Sequence, residues 1–353
     1  MSAPVARWDA RIDALDEDAM RRAKDRLDRL TKPRESLGRI ESLAIQLVGI
    51  TRQLPPPVAR KAVAVFAADH GVAVEGVSAY PQSVTAQMVA NFLRGGAAIN
   101  VLARRAGARV MVVDIGVAAD VPSHPALVEM KLGRGTANLA DGPAMTREQA
   151  RAAIEAGAHV AQRLFADGVD VIGIGEMGIA NTTASSAITA VLTGQPIERV
   201  TGRGTGIDEA AHHHKLRVIE RALAVNHPDA TDPLDVLAKV GGFEIGGLIG
   251  VILAAAQLRI PILVDGFITG AAALLAATME SHVVSYLIAS HCSQEPGHRV
   301  ILETLRLRPL LELDLRLGEG TGAALAMPLL DAAAAILGEM ATFDEAGVDT
   351  QVR

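Results

Sequence analysis

The sequence lacks several things that would point to particular functions. Among 353 residues there is one cysteine, Cys292, so an intramolecular disulfide and a cysteine-rich zinc site are both excluded, which fits a reducing compartment. There is no excess of positive charge: the formal net charge is −6. A mildly acidic surface gives no electrostatic footing to nucleic acid or to an anionic membrane. The longest uninterrupted apolar stretch, Ile245 to Ala256, ends at Gln257 and Arg259 and falls short of the roughly 20 residues a bilayer requires. No apolar signal-peptide core follows Met1, where Arg7, Asp9, Arg11 and Asp13 come early, so the expectation is a soluble, cytoplasmic protein. Tandem repeats, low-complexity tracts, a GxSxG elbow and a GxxxxGK[ST] loop are missing as well.

What is present is a large apolar fraction, 50% against 21% charged, enough for one large α/β domain or a large and a small one. Asp16 to Arg52 reads as amphipathic helix. Met20, Ala23, Leu27 and Leu30 recur at three- and four-residue steps, and so do Ile40, Leu43, Leu47 and Ile50 after a break at Lys32-Pro33. Leu54-Pro55-Pro56-Pro57 reads as a linker. Beyond it, short β-branched runs alternate with helical segments. The expected strands are Ala62–Ala68, Arg109–Ile115, Val169–Ile174, Ile260–Val264, Val283–Ile288 and Leu311–Leu317. Expected helices include Thr85–Arg104, Thr146–Phe165 with a Thr146/Gln149 capping box, one opened by Asp232-Pro233, and Thr321–Met340 with a kink at Pro328. This alternation predicts a mainly parallel sheet with helices on both faces.

Almost every apolar run ends in a small or functional cluster: Asp69-His70-Gly71, Asp114-Ile115-Gly116, Gly175-Glu176-Met177-Gly178, Asp265-Gly266-Phe267, Ser290-His291 and Gly318-Glu319-Gly320. Ligands of parallel sheets bind outside the carboxyl ends of the strands, so these clusters are expected along one edge, although glycines also serve as plain turns. Gly173 to Gly178 has the spacing GxGxxG and opens a helix at Asn181. Phosphate binding at that helix start is favoured over NAD, because the acid a dinucleotide site requires would be Glu198, beside Pro196 and outside a strand end. Thr201 to Gly206 is a second glycine cluster, ahead of a helix carrying His212-His213-His214-Lys215. Three consecutive histidines point three ways around a helix, so they read as a solvated face rather than a metal site. Lys215 reads either as solvated or as a point charge for a phosphate. Glu319 lies between glycines before an apolar helix, and spacing alone leaves two roles open: a helix N-terminal acid or a general base. Asp69-His70 reads as turn-stabilising and Cys292 as a small packed residue.

Taken together, Lys32-Pro33 through Glu41, Ala68-Asp69-His70-Gly71, Gly175 through Thr183, Lys239 through Glu244, Leu263 through Phe267 and Arg316 through Ala324 resemble the nicotinate-nucleotide–dimethylbenzimidazole phosphoribosyltransferases of cobalamin lower-loop assembly. The likeness runs in order along nearly the whole chain. It implies a Rossmann-like domain (residues 58–320) with a small helical domain from both chain ends (1–57 and 321–353), a homodimer, no cofactor and no metal. The substrates it implies are nicotinate mononucleotide and 5,6-dimethylbenzimidazole.

Carried over by position, the resemblance makes Glu319 the catalytic base and Glu176 a second acid near the reacting centre. It puts nucleotide and phosphate contacts at Gly178, Asn181, Thr182, Gly202, Gly204, Lys215, Ser293, Arg316 and Gly318. Ser78, Tyr80, Gln82, Gln87, Met88 and Leu317 fall in the base pocket. Tyr80 and Met88 stand where some family members carry more polar residues, which bears on base preference rather than on reaction class.

Overall fold

The computed structural model describes residues 11–349. The first ten residues, where most of the missing signal-peptide core was read, lie outside the described residues, as do 350–353. Six strands form one sheet: β1 (Lys61–Ala68), β2 (Ala108–Gly116), β3 (Leu127–Glu129), β4 (Val171–Met177), β5 (Ile262–Val264) and β6 (Leu287–Ala289). Every pairing is parallel, and the spatial order is β3-β2-β1-β4-β5-β6. That is the doubly wound Rossmann order, so the fold class expected from the sequence is observed.

The two faces of the sheet bury different helices. β1 shows why: its odd positions Val63, Val65 and Ala67 enter one core, while Ala62, Ala64, Phe66 and Ala68 enter the other, as the two-residue period of a strand requires. The first face is covered by α1 (Glu17–Leu27), α2 (Arg39–Thr51), α3 (Val84–Arg94), α4 (Ala98–Arg105) and, from the far end of the chain, α13 (Thr321–Glu339). The second carries α5 (Arg147–Ala166), α6 (Asn181–Thr193), α8 (Glu209–Asn226), α9 (Pro233–Val240), α10 (Phe243–Gln257) and α11 (Phe267–Met279). Short helices α7 (Ile197–Val200), α12 (Pro296–Thr304) and α14 (Phe343–Ala346) complete the chain. The chain ends meet at an isolated antiparallel bridge between Leu30 and Thr342.

Local signals act as their chemistry dictates. The Thr146 hydroxyl accepts from the Gln149 N–H at 3.1 Å while the Gln149 side chain accepts from the Thr146 N–H at 3.0 Å, closing the capping box. Asp232 accepts from the N–H groups of Leu234 and Asp235 ahead of Pro233 at the first helical position. Helices α5 and α10 cross closely because glycines face each other's backbone: a methyl at Gly157 would overlap the Gly247 carbonyl, and one at Gly250 the Ile154 carbonyl. By length and composition α13 could cross a membrane, yet 56% of its apolar window is buried. Asp331 on it pairs with Lys61 of β1 at 2.8 Å, as befits a core helix.

The structure corrects four expectations. Thr85–Arg104 is two helices, broken at Gly95, whose φ of +78° is left-handed. Val283–Ile288 is a 3-10 turn over Ser281–Tyr286 that gives only its last residues to β6. Leu311–Leu317 is no strand: beyond one parallel bridge from Leu311 to His291 and a bond from the Gln294 N–H to the Leu315 carbonyl at 3.0 Å it forms no ladder among the described residues, and Leu313 and Leu317 stay more than half exposed. β3 was missed, because three residues are too few to carry a period.

Candidate active site

In this strand order the chain leaves β1 towards β2 and leaves β4 towards β5, so the loops diverge between β1 and β4 and open a crevice at their carboxyl ends. A cavity of about 500 Å³ lies there. It is lined by Tyr80, Val84 and Met88, by Glu176–Ile179 with Asn181 and Thr182, by Arg316–Glu319, and by Gly204, Thr205, Phe267, His291, Ser293 and Glu295.

Glu319 is held by its surroundings rather than by its own preference. Its φ is +64°, between Gly318 and Gly320 at +85° each, a left-handed conformation that costs a non-glycine residue about 1–2 kcal/mol. Two features impose it. The backbone of Glu319 and Gly320 passes directly over Gly175 of β4, where any side chain would collide with it. In addition, Asp265, just after β5, accepts from the N–H groups of Gly320, Gly322 and Ala323 at 3.0, 2.7 and 3.2 Å. Glu319 is therefore pinned above the sheet at the head of α13. Its carboxylate accepts weakly, at 3.4 Å, from Ile99 N–H in the first turn of α4. Burial raises its pKa above the usual glutamate value, opposed by that one hydrogen bond.

Two further acids share the region. Glu176 ends β4 and takes a hydrogen bond from the Asn181 side-chain amide. Burial, reinforced by the charges of Glu244, Asp265 and Glu319, pushes it up to about 8. Burial likewise lifts Asp265 to about 7 against its three backbone donors. Behind them the His70 ring meets Glu244 at 2.6 Å, both wholly buried.

Lys215 does not itself line the cavity but lies just behind Thr182 and Gly204, which do. It is fully buried on α8 and donates to the Thr182 hydroxyl at 2.8 Å. Burial drops its pKa to about 8, opposed by the charge of Glu295. Gly204, with a φ of +52°, brings its backbone beside both Thr182 and Lys215. Arg316 donates to the Gly204 carbonyl at 3.3 Å.

Of the residues singled out in the sequence, Tyr80, Met88, Glu176, Gly178, Asn181, Thr182, Gly204, Ser293, Arg316, Leu317, Gly318 and Glu319 line this one cavity. Ser78 stands just behind, its hydroxyl 3.2 Å from that of Thr205, and Gly202 packs against Glu295. Gln82 and Gln87 do not line it: Gln87 is exposed on α3 and Gln82 half-buried before it. The histidine run is only partly a solvated face. His213 is exposed, but His212 meets the Thr201 carbonyl at 3.0 Å and His214 the Glu75 carbonyl at 2.7 Å. Neither residue of the Asp69-His70 pair stabilises its own turn as expected: Asp69 accepts from the Ala118 N–H, 49 positions on, at 2.8 Å, and His70 pairs with Glu244. Glu198 is exposed on α7, away from any strand end. Sequence reading missed Glu295 as a cavity residue; its one signal is its place before Pro296, at the start of α12.

A family model described as phosphoribosyltransferase matches residues 12–348, which fixes the class. Among curated relatives, nicotinate-nucleotide–dimethylbenzimidazole phosphoribosyltransferases of Chloroflexus aggregans and Desulforudis audaxviator are each 60% identical, the likeness spanning 96% of this chain and 96% of theirs. A crystal structure of the same-named enzyme from Thermus thermophilus superposes with a TM-score of 0.91 at 50% identity, covering 96% of this chain and all of that one. A second, described as CobT from the same organism, gives 0.92 at 52%, over 95% of this chain and all of that one. The chain belongs to the nicotinate-nucleotide–dimethylbenzimidazole phosphoribosyltransferase family.

Proposed function

We propose that the protein transfers the phosphoribosyl group of nicotinate mononucleotide to 5,6-dimethylbenzimidazole or a related base, with Glu319 as general base. The carrying observation is the carboxylate of Glu319. It is fixed in a left-handed backbone over β4, faces the cavity, and has burial raising its pKa. A general base works best when its pKa approaches the working pH.

The chemistry asks little more of side chains. In nicotinate mononucleotide the departing ring is a pyridinium. The benzimidazole's lone-pair nitrogen attacks the anomeric carbon, the bond to the pyridinium nitrogen breaks, and its electron pair stays with that ring, so nicotinate leaves without a general acid. Positive charge then develops on the incoming base, and its ring N–H proton passes to Glu319. Attack opposite the leaving group inverts the anomeric centre from β to α, giving α-ribazole 5'-phosphate. The proton transfer contributes roughly 10²–10⁴-fold and alignment of the two substrates much of the rest. No step calls for a metal.

The phosphate serves as the handle for that alignment. Lys215, the Gly204 N–H, Thr182, Ser293, Gly202, Gly178, Asn181 and Arg316 are assigned to it and the ribose, with Gly318 keeping the wall beside Glu176 thin. Glu176, largely protonated near neutrality, is the second acid at the reacting centre. Tyr80, Met88 and Leu317, with Ser78 behind them, form the base pocket; Gln82, ahead of α3, and Gln87, on it, stand outside its lining.

The same reading takes the active form to be a cytoplasmic homodimer. The exposure of Tyr80 and Leu317 at the cavity mouth, with Leu313 close by in sequence, is what supports a covering partner, and sedimentation at assay concentration tests it. The reaction itself is tested by mixing the protein with nicotinate mononucleotide and a panel of bases and weighing the products. Nicotinate release with formation of an α-ribotide is expected. A Glu319→Gln variant that still turns over normally would remove Glu319 from its role.

A further inference from the structure

The lysine end of the cavity contains a carboxylate that the transfer chemistry does not use. Glu295 lines the cavity and is 7% exposed. Its Oε1 accepts from the Gly204 N–H at 2.8 Å, while its Oε2 is buried without a hydrogen-bond partner among the described residues. The Lys215 ammonium, wholly buried, has one described partner, the Thr182 hydroxyl, and Glu295 is the charge that favours its cationic form. The two groups best suited to hold an anion, the Gly204 N–H and the Lys215 ammonium, thus already face an anion belonging to the protein.

This arrangement is only half satisfied. A buried carboxylate normally has partners on both oxygens, and a buried ammonium needs nearby compensation. Glu295 gives Lys215 that compensation without closing on it to ion-pair distance, and it keeps the Gly204 N–H occupied. A phosphate dianion carries more charge and three acceptor oxygens, so it can supplant the carboxylate where an uncharged sugar cannot.

We propose that Glu295 is a displaceable stand-in for the substrate's phosphate, and so a specificity-determining residue. It holds the empty seat in shape, yields to a nucleoside monophosphate, and by reclaiming the seat helps expel the phosphorylated product. The proposal rests on reading the Lys215 end as the phosphate seat. Displacing an anion weakens substrate and product binding alike, which is uniform binding and raises KM without helping the chemical step.

The test is Glu295→Gln, which keeps the shape and an oxygen for Gly204 but removes the charge, measured by calorimetry and steady-state kinetics. Dissociation constants for nicotinate mononucleotide and for inorganic phosphate are expected to fall roughly tenfold, on the scale of a relieved like-charge contact. KM and kcat should fall together as product leaves more slowly, with nicotinate riboside binding unchanged. Unchanged or weaker phosphate affinity overturns the proposal. Lys215→Met separates the two readings. If it leaves mononucleotide affinity intact, the seat lies elsewhere and the proposal falls with it. If it weakens affinity while Glu295→Gln does not tighten it, only the role of Glu295 fails. A check free of any folding defect is a crystal of the wild-type protein soaked with nicotinate mononucleotide. Phosphate on Lys215 with Glu295 swung off Gly204 is expected, and phosphate on Lys215 with the Glu295–Gly204 bond intact overturns the proposal.

Discussion

The two ends of the site, Glu176 in the cavity lining and Lys215 buried just behind it, are built on the same physical device turned opposite ways. At one end Glu176 is buried and its pKa rises to about 8; at the other Lys215 is buried and its pKa falls to about 8. Burial penalises whichever form is charged, so an acid and a base converge on one value from opposite sides. The ends differ in what surrounds them. Glu176 has other carboxylates for neighbours, which deepen the effect. Lys215 has a hydroxyl and an acid, which oppose it. One end is therefore suited to holding and moving protons, the other to waiting for an anion.

The sharpest way to break this contrast is Glu319→Gln. The expected loss is roughly 10²–10⁴ in kcat with little change in mononucleotide affinity, measured by turnover beside calorimetry. Lys215→Ala should do the reverse, raising the dissociation constant of the mononucleotide by roughly 30-fold or more while riboside binding holds, since truncating one partner of a buried charged contact typically costs about 2–5 kcal/mol.

The pH dependence of stability separates the ends without any substrate. A raised carboxyl pKa means that Glu176 contributes stability fully below its unfolded value near 4.5, and this is lost as pH climbs through about 8. A depressed lysine pKa works the other way. The stability tied to Lys215 is present above its unfolded value of 10.5 and is lost as pH falls through about 8. Thermal midpoints should therefore dip near pH 8. Glu176→Gln is expected to flatten the acid side of the dip and Lys215→Met the alkaline side, by scanning calorimetry across pH 4–11; an unaltered profile in either variant contradicts the burial argument. In turnover, the acid limb set by Glu319 should have its midpoint above the ordinary glutamate range, because activity needs the deprotonated form and burial raises its pKa. The smallest effect is expected for Tyr80→Phe. The ring is 55% exposed, so turnover with a panel of bases should change by about twofold or less.

The parallel sheet with helices on both faces was legible because long strands such as Lys61–Ala68 carry a clear apolar signature and end in a small or charged cluster. Short β3 carries none. Leu311 to Leu317 carries a misleading one, since alternating leucines look like a half-buried strand while two of them in fact stay exposed. The break after Arg94 hid inside a helical period that runs on either side of Gly95 and Gly96. At the site, the glycines around Glu319 were visible, but the residue that positions them was not, for Asp265 lies 55 positions before Gly320. His70 and Glu244, 174 positions apart, leave no local trace of their pairing. Glu319, for which spacing left two roles open, meets the first turn of α4 as well as standing before its own helix. The pattern of strand-end clusters grouped the loops along one edge, and resemblance supplied what it could not, the role of each residue.

Helix α13 starts at the pinned turn of Glu319 and runs 19 residues to a terminus gripped by the other end of the polypeptide. There the Arg26 guanidinium donates to the Leu337 carbonyl, the Thr31 N–H to that of Ala341 at 3.1 Å, and Gly338 rests on Pro55. It is a shaft clamped at both ends, one clamp aiming a carboxylate and the other reading how the chain from Arg26 to Pro55 is docked. Damage to that distant docking would register as a mis-aimed Glu319 carboxylate before it registered as unfolding.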